Sequence, residues 1–184
     1  DQSIDEYFDT SGVDASASTN ELRSDASPYY YYGGTSATPT ITEDADTTTV
    51  DGDYTWYRWT TVGSGSYSSD TTQDHVWLVV AGGGGGAGGC IAADAGGGAG
   101  GGGYRYGTTL SLIAGNTYTV AVGDGGAGST GCQAIGTNGG ASSITGTGIT
   151  TISSAGGGGG RKSGNPGVDG GSGGASGYNG VSVG

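Results

Sequence analysis

Along the chain, runs of β-forming residues alternate with stretches that carry almost no side chains. His75-Val76-Trp77-Leu78-Val79-Val80-Ala81 is a short apolar run of the kind expected for a strand covered on both faces. Thr108–Ile113, the turn Ala114-Gly115-Asn116 and Thr117–Val122 read as a β-hairpin, with Leu110, Leu112, Tyr118, Val120 and Val122 alternating inward. Ser142–Ile144, Ile149–Ile152 and Val181–Val183 are further short strands. Upstream, Asp53–Val62 has the aromatic and β-branched content of a strand, with Tyr54, Trp56 and Arg58 on one face and Thr55, Tyr57 and Trp59 on the other. Ile4–Phe8, Tyr29–Tyr32 and Thr38–Thr42 are shorter candidates, and Gly33-Gly34, Asp51-Gly52 and Gly63-Ser64-Gly65 read as turns. The first region shows no apolar spacing that asks for a helix and the second reads as strands between glycine tracts, so the pattern predicts an all-β fold.

Composition sharpens this picture. Glycine supplies 46 of the 184 residues, and Leu, Ile, Val and Phe together fall below the ~20% at which a conventional core becomes doubtful. Only Gly12, Gly33, Gly34, Gly52, Gly63 and Gly65 precede Gly82. The chain therefore divides into residues 1–73, an acidic Ser/Thr/Tyr-rich β module or assembly segment, and residues 74–184, a glycine-rich domain. Contiguous runs such as Gly82–Gly86, Gly100–Gly103 and Gly156–Gly160 break any collagen register. A lone glycine tract would stay disordered, because ordering glycine costs more backbone entropy than ordering any other residue. Several tracts side by side in polyproline-II geometry can instead bond to one another, since no side chain holds them apart. A flexible linker would not be interrupted by Val-Val-Ala or Tyr-Thr-Val-Ala-Val, so the expectation is a β-sandwich-like domain with packed polyglycine segments.

The net charge of −12 is concentrated upstream. Asp1, Asp5, Glu6, Asp9, Asp14, Glu21, Asp25, Glu43, Asp44, Asp46, Asp51 and Asp53 face Arg23 alone. A phosphate backbone would be repelled there, so no nucleic-acid partner is expected. No apolar stretch approaches the ~20 residues of a spanning helix, so no membrane insertion is expected. Cys90 and Cys132 lack the companions of a metal site. Both lie beside glycine runs where backbones can approach, which favours a disulfide over two free thiols. Such a bond would remove on the order of 4 kcal/mol of unfolded-state entropy and places the chain outside a reducing compartment. The sequence begins at Asp1 rather than Met, as a processed chain or a fragment would.

Several motifs invite catalytic or cofactor readings that their context does not support. Gly82–Gly88 satisfies G-x-G-x-x-G after a strand, but more glycine follows where a dinucleotide site needs a helix. Gly170-Gly171-Ser172-Gly173-Gly174 satisfies G-x-S-x-G, yet the single histidine, His75, sits at a strand start beside Asp74. Asp44/Asp46 and Asp51/Asp53 do not complete a calcium loop and read as solvated turn acids. No cofactor, metal site or enzymatic activity is expected. Tyr29, Tyr30, Tyr31 and Tyr32 form a candidate assembly or ligand patch, since tyrosine pairs an apolar face with a polar tip. Thr47-Thr48-Thr49 and nearby serines are candidate O-glycan carriers, and no N-glycosylation sequon occurs.

In order, Val76–Gly86, Gly100–Arg105, Ala114–Gly123, Asn138–Ser143 and Ala155–Gly160 resemble the glycine-rich domains of bacteriophage tail fibres and receptor-binding adhesins. The resemblance covers residues 74–184. It implies a non-enzymatic, extracellular or virion-surface structural role, self-association into a trimeric fibre or linear filament, and loops that touch a host-surface glycan or protein. Carried over by position, those loops are Ile91, Ala92, Ala93 and Asp94; Gln133, Ala134 and Ile135; Arg161, Lys162, Ser163 and Asn165; and Tyr178 with Asn179. The rival reading is a non-viral extracellular filament, in which an N-terminal segment such as Ser3–Phe8 completes the sheet of the next subunit.

Overall fold

The computed structural model describes residues 39–89, 94–131 and 134–179. Among these every regular element is a strand, so the fold is all-β. Five strands form one antiparallel sheet in the order β1-β4-β8-β9-β10, made of Ile41–Glu43, Gly63–Ser69, Thr117–Val122, Ser142–Gly146 and Ile152–Ser154. β2 (Thr47–Asp51) and β3 (Tyr54–Arg58) form a hairpin ribbon that turns at Gly52, where φ is 58°. β5 (Gln73–Val80) and β7 (Tyr104–Leu112) form a second ribbon lying against β9 and β10. β6 (Asp94–Ala95) pairs with β11 (Tyr178–Asn179). The expected strands at Ile4–Phe8, Tyr29–Tyr32 and Val181–Val183 lie outside the described residues.

Two expectations are corrected. Thr108–Ile113 and Thr117–Val122 do not form a hairpin with each other. β7 pairs with β5, while β8 is taken by β4 and β9. The turn is present, with Gly115 at φ 75°, but its amides are claimed elsewhere. Ile113 N–H donates to the Tyr118 hydroxyl at 2.8 Å, Ala114 N–H to Thr72 Oγ1 at 3.0 Å and Gly115 N–H to the Ser69 carbonyl at 2.8 Å. Gly63-Ser64-Gly65 is not a turn but the start of β4. Gly65 is a bed for the Trp59 indole, where any Cβ would meet the ring. β4, upstream of residue 74, pairs with β8, downstream of it.

The apolar core is small. Tyr67, Leu112 and Tyr118 are buried, with Ile41, Tyr57, Trp59, Leu110 and Ile149 packed around them. Tyr118 is only 1% exposed, and its hydroxyl is satisfied by the Ile113 amide, as a buried phenol requires.

The remaining order comes from glycine. β5, β8 and β10 run out into tracts 81–89, 123–130 and 155–161, and tracts 96–103 and 134–141 lead back into β7 and β9. Bonds between tracts step by three residues. Ala81, Gly84 and Ala87 donate to the carbonyls of Gly103, Gly100 and Gly97 at 2.9–3.0 Å. Gly82, Gly85 and Gly88 donate to Gly140, Thr137 and Ala134 at 2.8–3.0 Å. Gly126 and Ser129 donate to Gly83 and Gly86, while Gly157 and Gly160 donate to Gly82 and Gly85. A three-residue period is that of the polyproline-II helix, which makes no internal hydrogen bonds and so must bond outward. Tract 155–161 is a second hub: Gly97, Gly100 and Gly103 donate to Arg161, Gly158 and Ala155 at 2.7–2.9 Å, and Gly157–Gly160 are buried.

The lattice leaves no room for side chains at its contacts. A Cβ on Gly85 would overlap the Ala127 carbonyl, and one on Gly157 the Gly100 carbonyl, whereas one on Gly98 would meet nothing within 4 Å. Gly85→Ala therefore should cost about 2 kcal/mol or more, or prevent folding. Gly98→Ala should be neutral or stabilise by about 0.4–1 kcal/mol through the unfolded chain. Denaturant unfolding of both variants checks this, and equal effects would show that the tracts are not close-packed.

Candidate functional site

Because the tracts run out from the strands and return, their described ends gather at the end of the bundle away from the sheets. Gly97 N–H donates to the Arg161 carbonyl at 2.9 Å and Arg161 N–H to the Ala175 carbonyl at 3.0 Å. Gly88 N–H reaches Ala134, and Ala134 N–H closes a turn on Gly131 at 3.3 Å. Asn165 N–H donates to the Lys162 carbonyl, with Gly164 at φ 81° completing that turn. Ser163 bridges Gly177, and Ala95 and Asp94 pair with Tyr178 and Asn179. The structure thus brings together Asp94, Ala134, Ile135, Arg161, Lys162, Ser163, Asn165, Tyr178 and Asn179. Ile91, Ala92, Ala93 and Gln133 lie outside the described residues, as do Cys90, Cys132 and Tyr29–Tyr32.

The chemistry of this end differs from that of the sheets. Arg161 and the only lysine of the chain, Lys162, are adjacent and half-buried, and Ile135 is exposed. The Ser163 hydroxyl is buried without a hydrogen-bond partner. Glu43, Asp44, Asp46, Asp51, Asp53, Asp70 and Asp74 belong instead to the strands and turns at the sheet end. The Arg161–Lys162 pair suits an acidic or hydroxyl-rich partner.

The residues of the catalytic and metal motifs are spent structurally. His75 Nδ1 lies 3.2 Å from the Gln73 carbonyl, which can only accept, so Nδ1 carries the hydrogen of the neutral ring. Its Nε2 then accepts the Tyr67 hydroxyl at 2.8 Å, with the two rings edge to face at 5.2 Å. Ser172 is part of the lattice, donating its amide to Gly101 and accepting from Gly158. The G-x-G-x-x-G match lies in extended tract 81–88. Asp44 accepts the Ser66 amide at 2.6 Å and the Trp59 indole N–H at 2.9 Å, and these bonds lower its pKa. Asp46 accepts the amides of Thr60 and Thr61 and the Thr61 hydroxyl, which hold its carboxyl far below the usual range. The two acids therefore anchor the chain between β3 and β4.

Two features escaped the sequence reading. A cleft of about 380 Å³ opens between β3, β5 and the β8–β9 face, with Trp56, Trp77, Val79, Val120 and Ile144 among its walls. Such walls take an apolar or aromatic group. The second feature is the outward face of the β5–β7 ribbon. Val76, Leu78 and Val80 point away from the sheet, and Tyr106 and Tyr104 stand opposite Leu78 and Val80. The apolar run at 75–81 was the available signal, but it predicted cover on both faces, and among the described residues only one face is covered.

The family model of a glycine-rich domain matches residues 60–184. No curated protein and no solved structure matches the chain.

Burial, with Tyr57 nearby, pushes the Tyr67 hydroxyl up to about 12 from 10.0. The unfolded chain releases this proton first, so stability should be full below pH 10 and fall as pH rises toward about 12. Tyr67→Phe should cost about 1–2 kcal/mol at neutral pH by orphaning His75 Nε2 and flatten that alkaline fall. Thermal unfolding from pH 8 to 12 measures both; an unchanged alkaline fall in the variant would remove Tyr67 as its source.

Proposed function

The chain belongs to the glycine-rich domain family, and from that premise we propose that it is a non-enzymatic extracellular fibre protein of the phage tail-fibre or adhesin type, exposed on a virion surface. The observation that carries this reading is that Asp94–Ala95, Ala134, Arg161–Asn165 and Tyr178–Asn179 meet at one end of a backbone-bonded bundle. Lattice bonding is indifferent to side chains in the joining segments, so those segments are free to vary while the bundle holds them in place. That is the arrangement a receptor-contacting tip needs. The Arg161–Lys162 pair gives it a basic point on an otherwise acidic chain, matched to acidic or hydroxyl-rich glycans. A disulfide between Cys90 and Cys132 would join two of the segments and suits an oxidising exterior.

The filament reading has one observation of its own. Among the described residues the β2–β3 ribbon has two strands, each with an outer edge that could take an added strand. Removal of residues 1–12 separates the two readings. A filament joined by N-terminal strand exchange disperses on that deletion, whereas adhesin binding survives it.

The fibre-adhesin reading predicts oligomers or fibres of the full chain in negative-stain micrographs. It also predicts binding to arrayed acidic and neutral glycans or to bacterial cells. Replacing Arg161 and Lys162 together by alanine should weaken that binding at least tenfold while leaving thermal unfolding unchanged. A full chain that stays monomeric and binds no cell or glycan contradicts it.

A further inference from the structure

The β5–β7 ribbon is apolar on both sides. Its inner side, with His75, Trp77 and Val79, faces the cleft and the sheet. On its outer side Val76 is 50% exposed, Leu78 57%, Val80 52%, Tyr104 64% and Tyr106 65%. An antiparallel ribbon with one wet face ordinarily alternates apolar-in and polar-out. Here the alternation is absent over Val76–Val80, so the sequence is written for a ribbon covered twice. One cover is the sheet, and no described element of this chain supplies the other.

We infer that the outer face of the β5–β7 ribbon is a self-association surface that packs against the same face of a second copy. Charge is the first consideration. Two chains of net charge −12 repel as wholes, but the patch from Val76 to Val80 and across to Tyr104 and Tyr106 carries no acid on its outward side and is where two copies can touch without that cost. Shape is the second. Registry places Tyr106 opposite Leu78 and Tyr104 opposite Val80, with the two tyrosine rings 6.1 Å apart, so an aliphatic row runs beside an aromatic row. A two-fold axis parallel to the strands lays the aliphatic row of each copy on the tyrosine row of the other, as an isologous interface requires. Area is the third. Five side chains exposed to this degree offer on the order of 500 Å² per copy, so two faces remove about 1,000 Å², the lower bound of a specific interface. The product is a four-stranded sandwich joining two glycine bundles, with the ribbon stacking at ~10 Å.

This inference rests on reading the chain as an assembling subunit, and it names the surface that does the assembling. The test is sedimentation of the full chain at high micromolar concentration, with Leu78→Asp, Leu78→Thr and Tyr106→Thr, and Val50→Thr on the β2–β3 ribbon as control. The threonine variants keep β propensity, so loss of association cannot be loss of the ribbon. The expected result is an even-numbered assembly for the wild type, a dissociation constant raised at least tenfold by each ribbon variant, and no change from Val50→Thr. Assembly that persists undiminished in all three ribbon variants overturns this interface and leaves the fibre reading standing. A wild-type chain that is monomeric throughout also overturns this interface, and the fibre reading with it if that chain binds no cell or glycan.

Discussion

The N–H···O=C bond between neighbouring glycine tracts is the constraint on which the rest of the structure depends. A polyproline-II segment makes no hydrogen bonds to itself, so every amide in it is satisfied by a neighbour or by water. Bonding tract to tract at 2.7–3.0 Å demands that backbones touch, and backbones touch only where Cβ is absent. The bonds of Gly85 to Thr137, Gly100 to Gly158 and Gly160 to Gly85 therefore explain the glycines, and the glycines explain the bonds. Ordering such a segment is entropically expensive. Cooperation offsets that cost, since tracts 81–88 and 155–161 each bond to several others and none is ordered alone.

The lattice relieves the protein of a large hydrophobic core and fixes where its chemistry can lie. Tyr67, Leu112 and Tyr118 form a small core at the sheet end, and Asp44 and Asp46 fasten the chain that leads into it. Each tract is seeded by a strand already held in a sheet, so register in the sheets sets register in the lattice. At the far end Ala134 and Arg161 enter the lattice through backbone groups, which leaves their side chains outside its bonds. Side-chain identity is thus constrained at the base and released at the tip.

Much of this was legible in the residues. The glycine runs, interrupted by β-forming segments, pointed to packed polyglycine, and the alternation of Tyr54, Trp56 and Arg58 against Tyr57 and Trp59 gave the faces of β3 correctly. What could not be read was pairing between distant segments. Ala114-Gly115-Asn116 does turn, but which partners β7 and β8 take is decided by Ser69, Thr72 and Tyr118, which compete for the turn's amides. Gly65 looked like a turn residue because its role, admitting the Trp59 indole, exists only in three dimensions. The joining segments were found as interruptions in composition, while their convergence follows from the antiparallel courses of the tracts. The run Val76–Val80 was read as doubly covered, and the described residues cover it once.

Amide hydrogen exchange across tract 81–88, resolved residue by residue, tests the lattice most directly. Ala81, Gly82, Gly84, Gly85, Ala87 and Gly88 donate to other tracts, whereas among the described residues no backbone acceptor meets the amides of Gly83 and Gly86. The account predicts slow exchange at the first six and fast exchange at Gly83 and Gly86, a pattern with a period of three. Uniformly fast exchange, or protection alternating with a period of two as in a β-strand, would contradict it.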